Sequence, residues 1–281
     1  MGLQGVKMRI WIRIWQPIRP RSAKENRMTP STPFDPSSRR SRATALSNSL
    51  LRAVRMAQET RELERAVAGL TDQELAPVLR EREAGLAFWI NVYNAATQLR
   101  LAREPELFHE RGRFFGSPCV AVAGRRLSLD DVEHGILRGG KPKLGLGFLP
   151  GIFSRPPFPG LRLPLDPRIH FALNCGAASC PPIAAYTAEG LDDELLLATR
   201  SYLEQEAQMD WESGTVRLPR ICFWYLGDFG GLGGLRRLLR EMKLIPDDRS
   251  PSLRFASYDW RPAPGRFRDG AARGRGEVTG E

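Results

Sequence analysis

The sequence predicts a single α+β domain in which a helical N-terminal part packs on a small, mainly antiparallel sheet. Apolar residues recur at helical spacing through most of residues 46–99, and short alternating or continuous apolar runs begin at residue 119. Strands are expected near residues 119, 169, 215 and 221. The chain has 281 residues, 42% of them hydrophobic and 26% charged, which is enough to bury one core of ordinary size.

The basic charge of the chain is concentrated at its ends. The net charge of +10 divides into +8 over residues 1–45 and +2 over residues 261–281, which leaves residues 46–260 neutral. This distribution does not favour a folded surface specific for nucleic acid, although basic tails can contact anionic surfaces. The predicted organisation is a disordered basic arm (residues 1–44), a globular domain (45–262) and a disordered tail (263–281).

Cysteine content and hydropathy indicate the class of protein. The four cysteines, at positions 119, 175, 180 and 222, are too few for a disulfide scaffold in a chain of this length. They are typical of a reducing compartment. No apolar run reaches the length of a membrane-spanning helix. We therefore expect a soluble, cytoplasmic protein without a transmembrane segment.

Two features predict the helices of the N-terminal part. Thr71–Glu74 matches a capping box that opens a helix. In the next helix, around Leu86–Leu99, the side chains of Asn91, Asn94 and Gln98 fall within about 60° of each other on a helical wheel. The rest of the wheel is mostly apolar. Because an unpaired buried amide costs about 1–3 kcal/mol, these amides require partners, either backbone groups of a neighbouring loop or a ligand.

The middle of the chain predicts a strand, a helix and a long loop. Cys119–Leu127 reads as a strand and tight turn, and Ser128–Asp131 as a second capping box. The helix that follows places Asp130, His134 and Arg138 four residues apart on one face. That face is either a solvated charged surface or an Asp–His unit directed at a substrate. The Gly- and Pro-rich loop over residues 139–164 is either a lid or a packed surface loop.

The segment Asp166–Pro182 contains His170, Cys175 and Cys180. Its alternating pattern predicts a strand that ends near Cys175, with Cys180 on a loop as the freer thiol. In such a strand His170 and Cys175 face opposite sides. His170 and Asn174 share a face but lie about 13 Å apart at about 3.3 Å per residue. A catalytic partner is therefore expected from another element.

The remaining chain predicts four elements. They are a helix capped by Thr187 and extending to Leu203, a turn at Ser213–Gly214 between two strands, an apolar strand over Ile221–Leu226, and an amphipathic helix over Leu232–Met242.

Three motifs in this order resemble the DUF547 family. They are Phe88–Asn94, Gly124–Arg138 and Asp166–Pro182, and the resemblance covers residues 75–205. Looser similarity occurs at Phe223–Tyr225 and Tyr258–Trp260. In the family a basic residue commonly precedes the Ser-Cys-Pro motif, whereas this chain has Ala178. The family is a domain of unknown function, found in bacterial proteins and in plant proteins with coiled coils, so the resemblance implies kinship and no particular activity.

The first functional hypothesis is a Cys/His-dependent hydrolase or acyltransferase, loosely similar to papain- and transglutaminase-like folds. Cysteine catalysis requires a thiolate, a base and a group that orients the base. The chain departs from those folds because its buried helix contains no cysteine. The candidates are Cys180 or Cys175 as nucleophile, His170 or His134 as base, and Asn91, Asn94 or Asp131 as the orienting group.

Two alternatives remain open at this stage. A zinc site could draw on His134, His170, Cys175 and Cys180, although the two cysteines are further apart in sequence than zinc-binding pairs usually are. A noncatalytic binding domain would instead use the same residues in a structural network, with both cysteines buried and Asn91 and Asn94 bound to the loop at 176–179. The prediction includes no cofactor and no metal. The expected partner is an unidentified small molecule or peptide, contacted by Asn91, Asn94, Asn174 and Ser179.

Overall fold

The structure, a computed structural model, describes residues 39–151, 158 and 163–268. The N-terminal part of the described chain is helical, as predicted. It consists of α1 (Arg39–Arg55), α2 (Arg61–Ala68), α3 (Asp72–Arg80), α4 (Arg82–Arg103), a 3₁₀ helix (Pro105–His109) and α5 (Arg111–Gly116). The predicted capping box at α3 is present, since the Thr71 hydroxyl accepts from the Glu74 N–H and the Glu74 carboxylate accepts from the Thr71 N–H.

Helix α4 is the centre of the larger hydrophobic core. Every residue from Ala84 to Gln98 is buried, because α1, α3 and α6 cover it from different sides. A helix that is buried all round needs apolar residues on nearly every face. The sequence supplies them, except at the predicted amide stripe.

Among the described residues, five short strands form two sheets rather than one. In the first, β1 (Val120–Val122) pairs antiparallel with β2 (Arg125–Leu127). The two turn residues between them have positive φ, at 47° for Ala123 and 72° for Gly124, as a tight hairpin turn requires. In the second, β4 (Thr215–Leu218) lies between an antiparallel β3 (Gln208–Asp210) and a parallel β5 (Ser252–Phe255). The α+β class is confirmed, and the strands near 119 and 215 are present.

The predicted strands near 169 and 221 are wrong. Residues Pro167–Phe171 form a 3₁₀ helix, whose first turn is capped by the Asp166 carboxylate accepting from the Arg168 N–H. Residues Arg220–Trp224 form the short helix α7, which begins directly after Pro219. A short apolar run does not by itself distinguish a buried strand from a buried helical turn. In both places a proline at or just before the first helical position starts a helix.

The C-terminal half of the domain contains α6 (Leu191–Glu206), α7 and α8 (Gly231–Glu241). These helices and β4 enclose a second hydrophobic cluster beside the one around α4. The 3₁₀ helix at Pro167–Phe171 lies between the two clusters, because Ile169 packs in the first cluster and Phe171 in the second. Within the described ranges, no helix combines the length and the apolar content needed to cross a membrane.

The described chain extends past both predicted domain boundaries. Helix α1 begins at Arg39, and residues 263–268 lie against the 176–183 segment through backbone hydrogen bonds from Ala263 to Gly176 and from Arg268 to Ile183. Most of the predicted arm and tail falls on residues 1–38 and 269–281, outside the described residues.

Candidate active site

A cavity of about 570 Å³ opens where the two hydrophobic clusters meet. Side chains from α4, α5, α7 and the loops that flank them line it. Its chemically distinctive lining residues are Tyr93, Asp130, Glu133, His134, His170, Cys175, Cys180, Trp224, Tyr225, Tyr258 and Trp260. The cavity therefore brings together three of the predicted sequence motifs with residues from the C-terminal half.

The helix that carries His134 begins at the predicted capping box. The Asp131 carboxylate accepts from the Ser128 N–H at 2.9 Å and from the Ser128 hydroxyl at 2.7 Å, and that hydroxyl accepts from the Asp131 N–H at 3.0 Å. The helix is a π-helix over Asp131–Leu137. Asp131 thus stabilises the helix start. The catalytic hypothesis had Asp131 as a possible group that orients the base. In the described part of the structure its hydrogen bonds are to Ser128, and it orients neither His134 nor His170.

The Nδ1 atom of His134 is occupied by a hydrogen bond, and its Nε2 atom faces a carboxylate. Arg138 Nη1 lies 2.9 Å from His134 Nδ1. Because a guanidinium only donates, Nδ1 must accept, and the proton of the neutral ring is on Nε2, 3.6 Å from Asp130 Oδ1. Burial lowers the pKa of His134, which favours this neutral form. The predicted Asp130–His134–Arg138 face is therefore present, but His134 and Arg138 are buried and only Asp130 is partly exposed, so the face is not a solvated charged surface.

His170 has a different arrangement, with one nitrogen left for chemistry. Its Nε2 lies 2.9 Å from Asp228 Oδ2, and its ring stacks on Tyr225 with centroids 3.7 Å apart. A carboxylate only accepts, so Nε2 carries the proton and Nδ1 of the neutral ring has the free lone pair. Burial lowers the pKa of His170 although the hydrogen bond to Asp228 opposes it. The ring is therefore held as an oriented, neutral base.

Sequence reasoning missed Asp228, which lies at the centre of a buried ionic network. Its carboxylate accepts from Arg138 Nε at 2.8 Å and from Lys141 Nζ at 2.9 Å, in addition to His170. Burial raises the pKa of Asp228, but its hydrogen bonds to His170 and Arg138 and the charge of Arg138 lower it well below its usual value. Gly147, at φ 80°, allows the loop to approach, because a Cβ there would lie 2.6 Å from Asp228 Oδ1. The sequence contains no spacing signal that links residues 170 and 228.

Glu133 was also missed. Its carboxylate accepts from the hydroxyl of Tyr225 at 2.5 Å and from that of Tyr93 at 3.1 Å. Burial raises the pKa of Glu133, but the Tyr225 hydrogen bond and the charge of Arg138 act in the opposite direction, and the pKa lies below its usual value. The helical wheel could have indicated this residue, since it lies next to His134 in a helix with an acidic first turn.

The two cysteines of the central motif are joined as a disulfide. The Cα atoms of Cys175 and Cys180 are 6.2 Å apart, and the Tyr258 hydroxyl lies 3.1 Å and 3.0 Å from their respective sulfurs. The Cys175 N–H also donates to Cys180 Sγ at 3.0 Å. Cys119 and Cys222 are the free cysteines of the described chain.

This disulfide corrects the prediction that Cys180 is the freer thiol. Cys180 is 2% exposed, whereas Cys175 is partly exposed. The prediction assumed an extended strand, in which alternate side chains face opposite sides. The chain instead leaves the 3₁₀ helix and reverses at Gly176, whose φ is 90°, so Cys175 and Cys180 face each other. The predicted separation of His170 from Cys175 on opposite faces therefore does not apply, and both residues line the cavity.

Residues 78–203 match the family model described as "Protein of unknown function, DUF547". These residues are a DUF547 domain. The resemblance predicted from the sequence is confirmed, with boundaries close to the expected 75–205. No curated protein and no solved structure matches the chain. Asp228 and Tyr258 lie beyond the matched residues, so the cavity combines the DUF547 domain with the chain that follows it.

The amide stripe of the DUF547 domain binds backbone groups. Asn91 Nδ2 donates to the Tyr186 carbonyl at 2.8 Å, and its Oδ1 accepts from the Tyr186 N–H at 2.9 Å. Asn94 binds in the same two-point manner to the Ala172 carbonyl at 3.0 Å and to the Asn174 N–H at 2.9 Å. These partners lie on both sides of the predicted 176–179 loop. The prediction that Asn91 and Asn94 bind the 176–179 loop itself is therefore wrong, although backbone groups, one of the two kinds of partner expected for the amides, do satisfy both side chains.

Asn174 and Ser179 have similar roles. Asn174 Nδ2 donates to the Pro181 carbonyl at 2.7 Å. The Ser179 hydroxyl accepts from the Asp259 N–H at 2.9 Å, and its carbonyl accepts from the Tyr202 hydroxyl at 2.7 Å. Like Asn91 and Asn94, these residues fix the loop that carries both cysteines. None of the four is among the cavity-lining residues.

We expect Asn94→Ala to reduce the free energy of unfolding by about 1–3 kcal/mol, because it leaves a buried carbonyl and a buried N–H without partners. Urea denaturation monitored by circular dichroism measures the change. Asn48→Ala is the matched control, since the Asn48 amide makes only a 3.5 Å contact to the Tyr186 carbonyl. Equal effects of the two substitutions would contradict the role assigned to the stripe.

A cation from the end of the described chain lies beside the cysteine loop. Arg266 Nη1 donates to the carbonyl of Ala178, and to that of Cys180 at 3.1 Å. Arg266 lies beyond the residues that match the family model, so this guanidinium comes from outside the DUF547 domain.

The zinc hypothesis gains no geometric support from the described ranges. Among them, no group of three or more His, Cys, Asp or Glu side chains is arranged to hold a metal ion. His134, His170 and the two cysteines line the same cavity, but the disulfide takes up both sulfurs and Arg138 donates to His134 Nδ1, which leaves the Nδ1 lone pair of His170 alone.

Proposed function

We propose that this protein is a Cys/His-dependent hydrolase or acyltransferase, with Cys180 as nucleophile and His170 as general base. One observation carries the proposal. In the cavity lined by His170, two hydrogen-bond donors converge on Cys180 Sγ, the Cys175 N–H and the Tyr258 hydroxyl, each at 3.0 Å. Donors directed at a sulfur stabilise its thiolate, which is the reactive form of cysteine.

The neighbouring groups fit these roles. Burial raises the pKa of Tyr258, so its hydroxyl stays protonated and remains a donor. The oriented Nδ1 lone pair of His170 suits it to accept the thiol proton, whereas Arg138 already occupies the corresponding nitrogen of His134. Hydrogen bonding therefore favours His170 over His134 as the base.

In the proposed reaction His170 takes the proton of Cys180 and the thiolate attacks a carbonyl carbon. A C–S bond forms, the bond to the leaving group breaks, and the leaving group receives the proton from His170. Water or another acceptor then attacks the thioester and gives its proton to His170. This transfer releases the acyl group and restores the thiol.

The disulfide implies that reduction comes first. Two molecules of a low-molecular-weight thiol reduce the Cys175–Cys180 bond to two thiols and are themselves oxidised to a disulfide. Only then does Cys180 have a thiol proton for His170 to accept. The oxidised protein is therefore expected to lack acyl transfer through Cys180.

The test uses p-nitrophenyl acetate as an activated acyl donor on the whole protein, before and after reduction. After reduction we expect release of nitrophenolate and an acetyl group on Cys180, located by peptide mass spectrometry. Cys119→Ala is the matched control, because Cys119 is a free and partly exposed thiol elsewhere in the protein. Acetylation confined to Cys119, or equal acetylation of both cysteines, would contradict the proposal.

A second candidate function is a noncatalytic binding module. The amides of Asn91 and Asn94 satisfy neighbouring backbone, and the two cysteines form a disulfide. In that case the network is structural and the cavity only binds a ligand. A reduced protein that is not acetylated at Cys180 but retains a ligand in the cavity would favour this function.

A further inference from the structure

We infer that the cavity binds the cationic end of a ligand, a primary ammonium or a guanidinium, against the Glu133 carboxylate and an aromatic wall. The inference goes beyond the proposed acyl transfer because it requires no bond to form or break. It concerns what the cavity recognises, in the oxidised as well as the reduced protein.

No Lys or Arg of the described chain forms an ion pair with the Glu133 carboxylate within 4 Å, and Arg138, whose charge lowers the pKa of Glu133, acts from farther away. The basic group within 4 Å is His134, whose Nδ1 lies 3.9 Å from Oε1 and accepts a hydrogen bond from Arg138, so it is uncharged in this arrangement. The Glu133 side chain is only 11% exposed and lines the cavity. A buried charge is costly without a counter-charge, and a ligand cation would supply one.

The phenols around Glu133 leave room for that ligand. Burial raises the pKa of both Tyr93 and Tyr225, so each hydroxyl stays a donor to the carboxylate. Each carboxylate oxygen has two lone-pair directions, and these hydroxyls use one on each. The remaining directions are available to N–H groups of an ammonium or guanidinium.

Aromatic rings complete the recognition surface. Tyr258 lies 4.7 Å, centroid to centroid, from both Trp224 and Trp260, and all three rings line the cavity. Faces of tryptophan and tyrosine attract cations. Trp260 already has the Arg111 guanidinium 4.7 Å above its ring at the cavity edge.

The cations at the cavity edge do not reverse this preference. Lys143 Nζ is 3.1 Å from both carboxylate oxygens of Asp130 and is 52% exposed. Arg111 is exposed to solvent. Solvent screens both charges, whereas the charge of the buried Glu133 acts through a lower effective dielectric. The Glu133 carboxylate would repel an anionic ligand, so the cavity favours a cationic one.

Three probes of nearly the same shape test the inference on the oxidised protein: benzylammonium, benzyl alcohol and benzoate. Binding is followed by tryptophan fluorescence, to which the cavity-lining Trp224 and Trp260 contribute, and by titration calorimetry. We expect benzylammonium to bind at least about tenfold more tightly than benzyl alcohol, and benzoate to bind most weakly. Equal affinity for benzylammonium and benzyl alcohol, or a preference for benzoate, would overturn the inference.

Variants locate the charge that is responsible. Glu133→Gln is expected to reduce the affinity for benzylammonium to that for benzyl alcohol. Glu110→Gln is the matched control, because Glu110 is an exposed carboxylate next to Arg111 and does not line the cavity. If Glu133→Gln does not fold, the ranking of the three probes on the unmodified protein still decides. Because these measurements use the disulfide form, their outcome is independent of acetylation at Cys180.

Discussion

Asp228→Ala is expected to lower the free energy of unfolding by about 3–5 kcal/mol, because removal of one partner of a buried ion pair leaves the other charge uncompensated. The Arg138 side chain is 0% exposed and loses its only carboxylate partner among the described residues, while Lys141 loses the same anion. Arg138 Nη1 keeps its contacts with His134 Nδ1 and the Pro142 carbonyl, but Nη2 already lacks an acceptor in the described chain, so no second anion there replaces the lost carboxylate. Chemical denaturation of the purified variant, with the slope as well as the midpoint recorded, measures the loss.

Two further variants separate charge from side-chain volume. Asp259→Ala removes an aspartate that pairs with Arg261 on the surface, where the guanidinium side chain is 84% exposed, and should leave the midpoint unchanged. The double variant Asp228→Leu with Arg138→Met removes both buried charges and should recover much of the stability. A loss for Asp228→Ala no larger than that for Asp259→Ala would show that the buried network is not required for folding.

Local patterns in the sequence predicted the part of the site that lies within single elements. The Asn91 and Asn94 stripe follows from helical periodicity, and the contact between His134 and Arg138 follows from their four-residue spacing. Both predictions depend on residues close in sequence, where geometry is fixed by one helix. The sequence did not identify the partners of these side chains elsewhere in the fold, such as the Tyr186 backbone. A helical wheel shows only which face of the helix needs hydrogen-bond partners.

The elements that sequence reasoning missed depend on long-range packing. Asp228 reaches His170 only because the chain after β4 forms the helical turn of α7 instead of a strand. Tyr258 reaches both sulfurs from a segment without regular secondary structure. The alternation through residues 169–175 matches a strand in the sequence, but Asp166 and Pro167 start a 3₁₀ helix. Local capping therefore outweighed the period-two pattern.

His134 and His170 show that the hydrogen-bond partners of a histidine, and not the residue type alone, determine whether it can act as a base. Both are buried, both line the cavity, and burial lowers the pKa of each. They differ in the partner of the ring: a guanidinium donates to His134, and a carboxylate accepts from His170. Only the second arrangement leaves a lone pair for a substrate or thiol proton. Residue spacing alone left this choice open.

His170→Gln is expected to slow the acetylation of reduced Cys180 by about 10²–10⁴-fold, the usual contribution of a general base. In the unmodified protein the rate should rise with pH as His170 loses its proton and then level off. Because burial lowers the pKa of His170 from its ordinary 6.5, the midpoint of that rise should lie below pH 6.5. Stopped-flow measurement of nitrophenol release from about pH 4.5 to about pH 8 provides the profile, because this range extends more than one unit to either side of ordinary histidine titration. The absorbance is read at a wavelength where nitrophenol and nitrophenolate absorb equally.

Asp228→Asn tests how the base is oriented, provided that the variant is folded. An asparagine amide at this position can donate to Nε2, which would place the ring proton on Nδ1 and remove the lone pair needed for catalysis. We therefore expect a slower reaction whose rate is not recovered by raising the pH. His109→Gln is the matched control, because His109 is exposed and lies outside the cavity. A large loss for His134→Gln with none for His170→Gln would assign the base to the other histidine and overturn the tautomer argument.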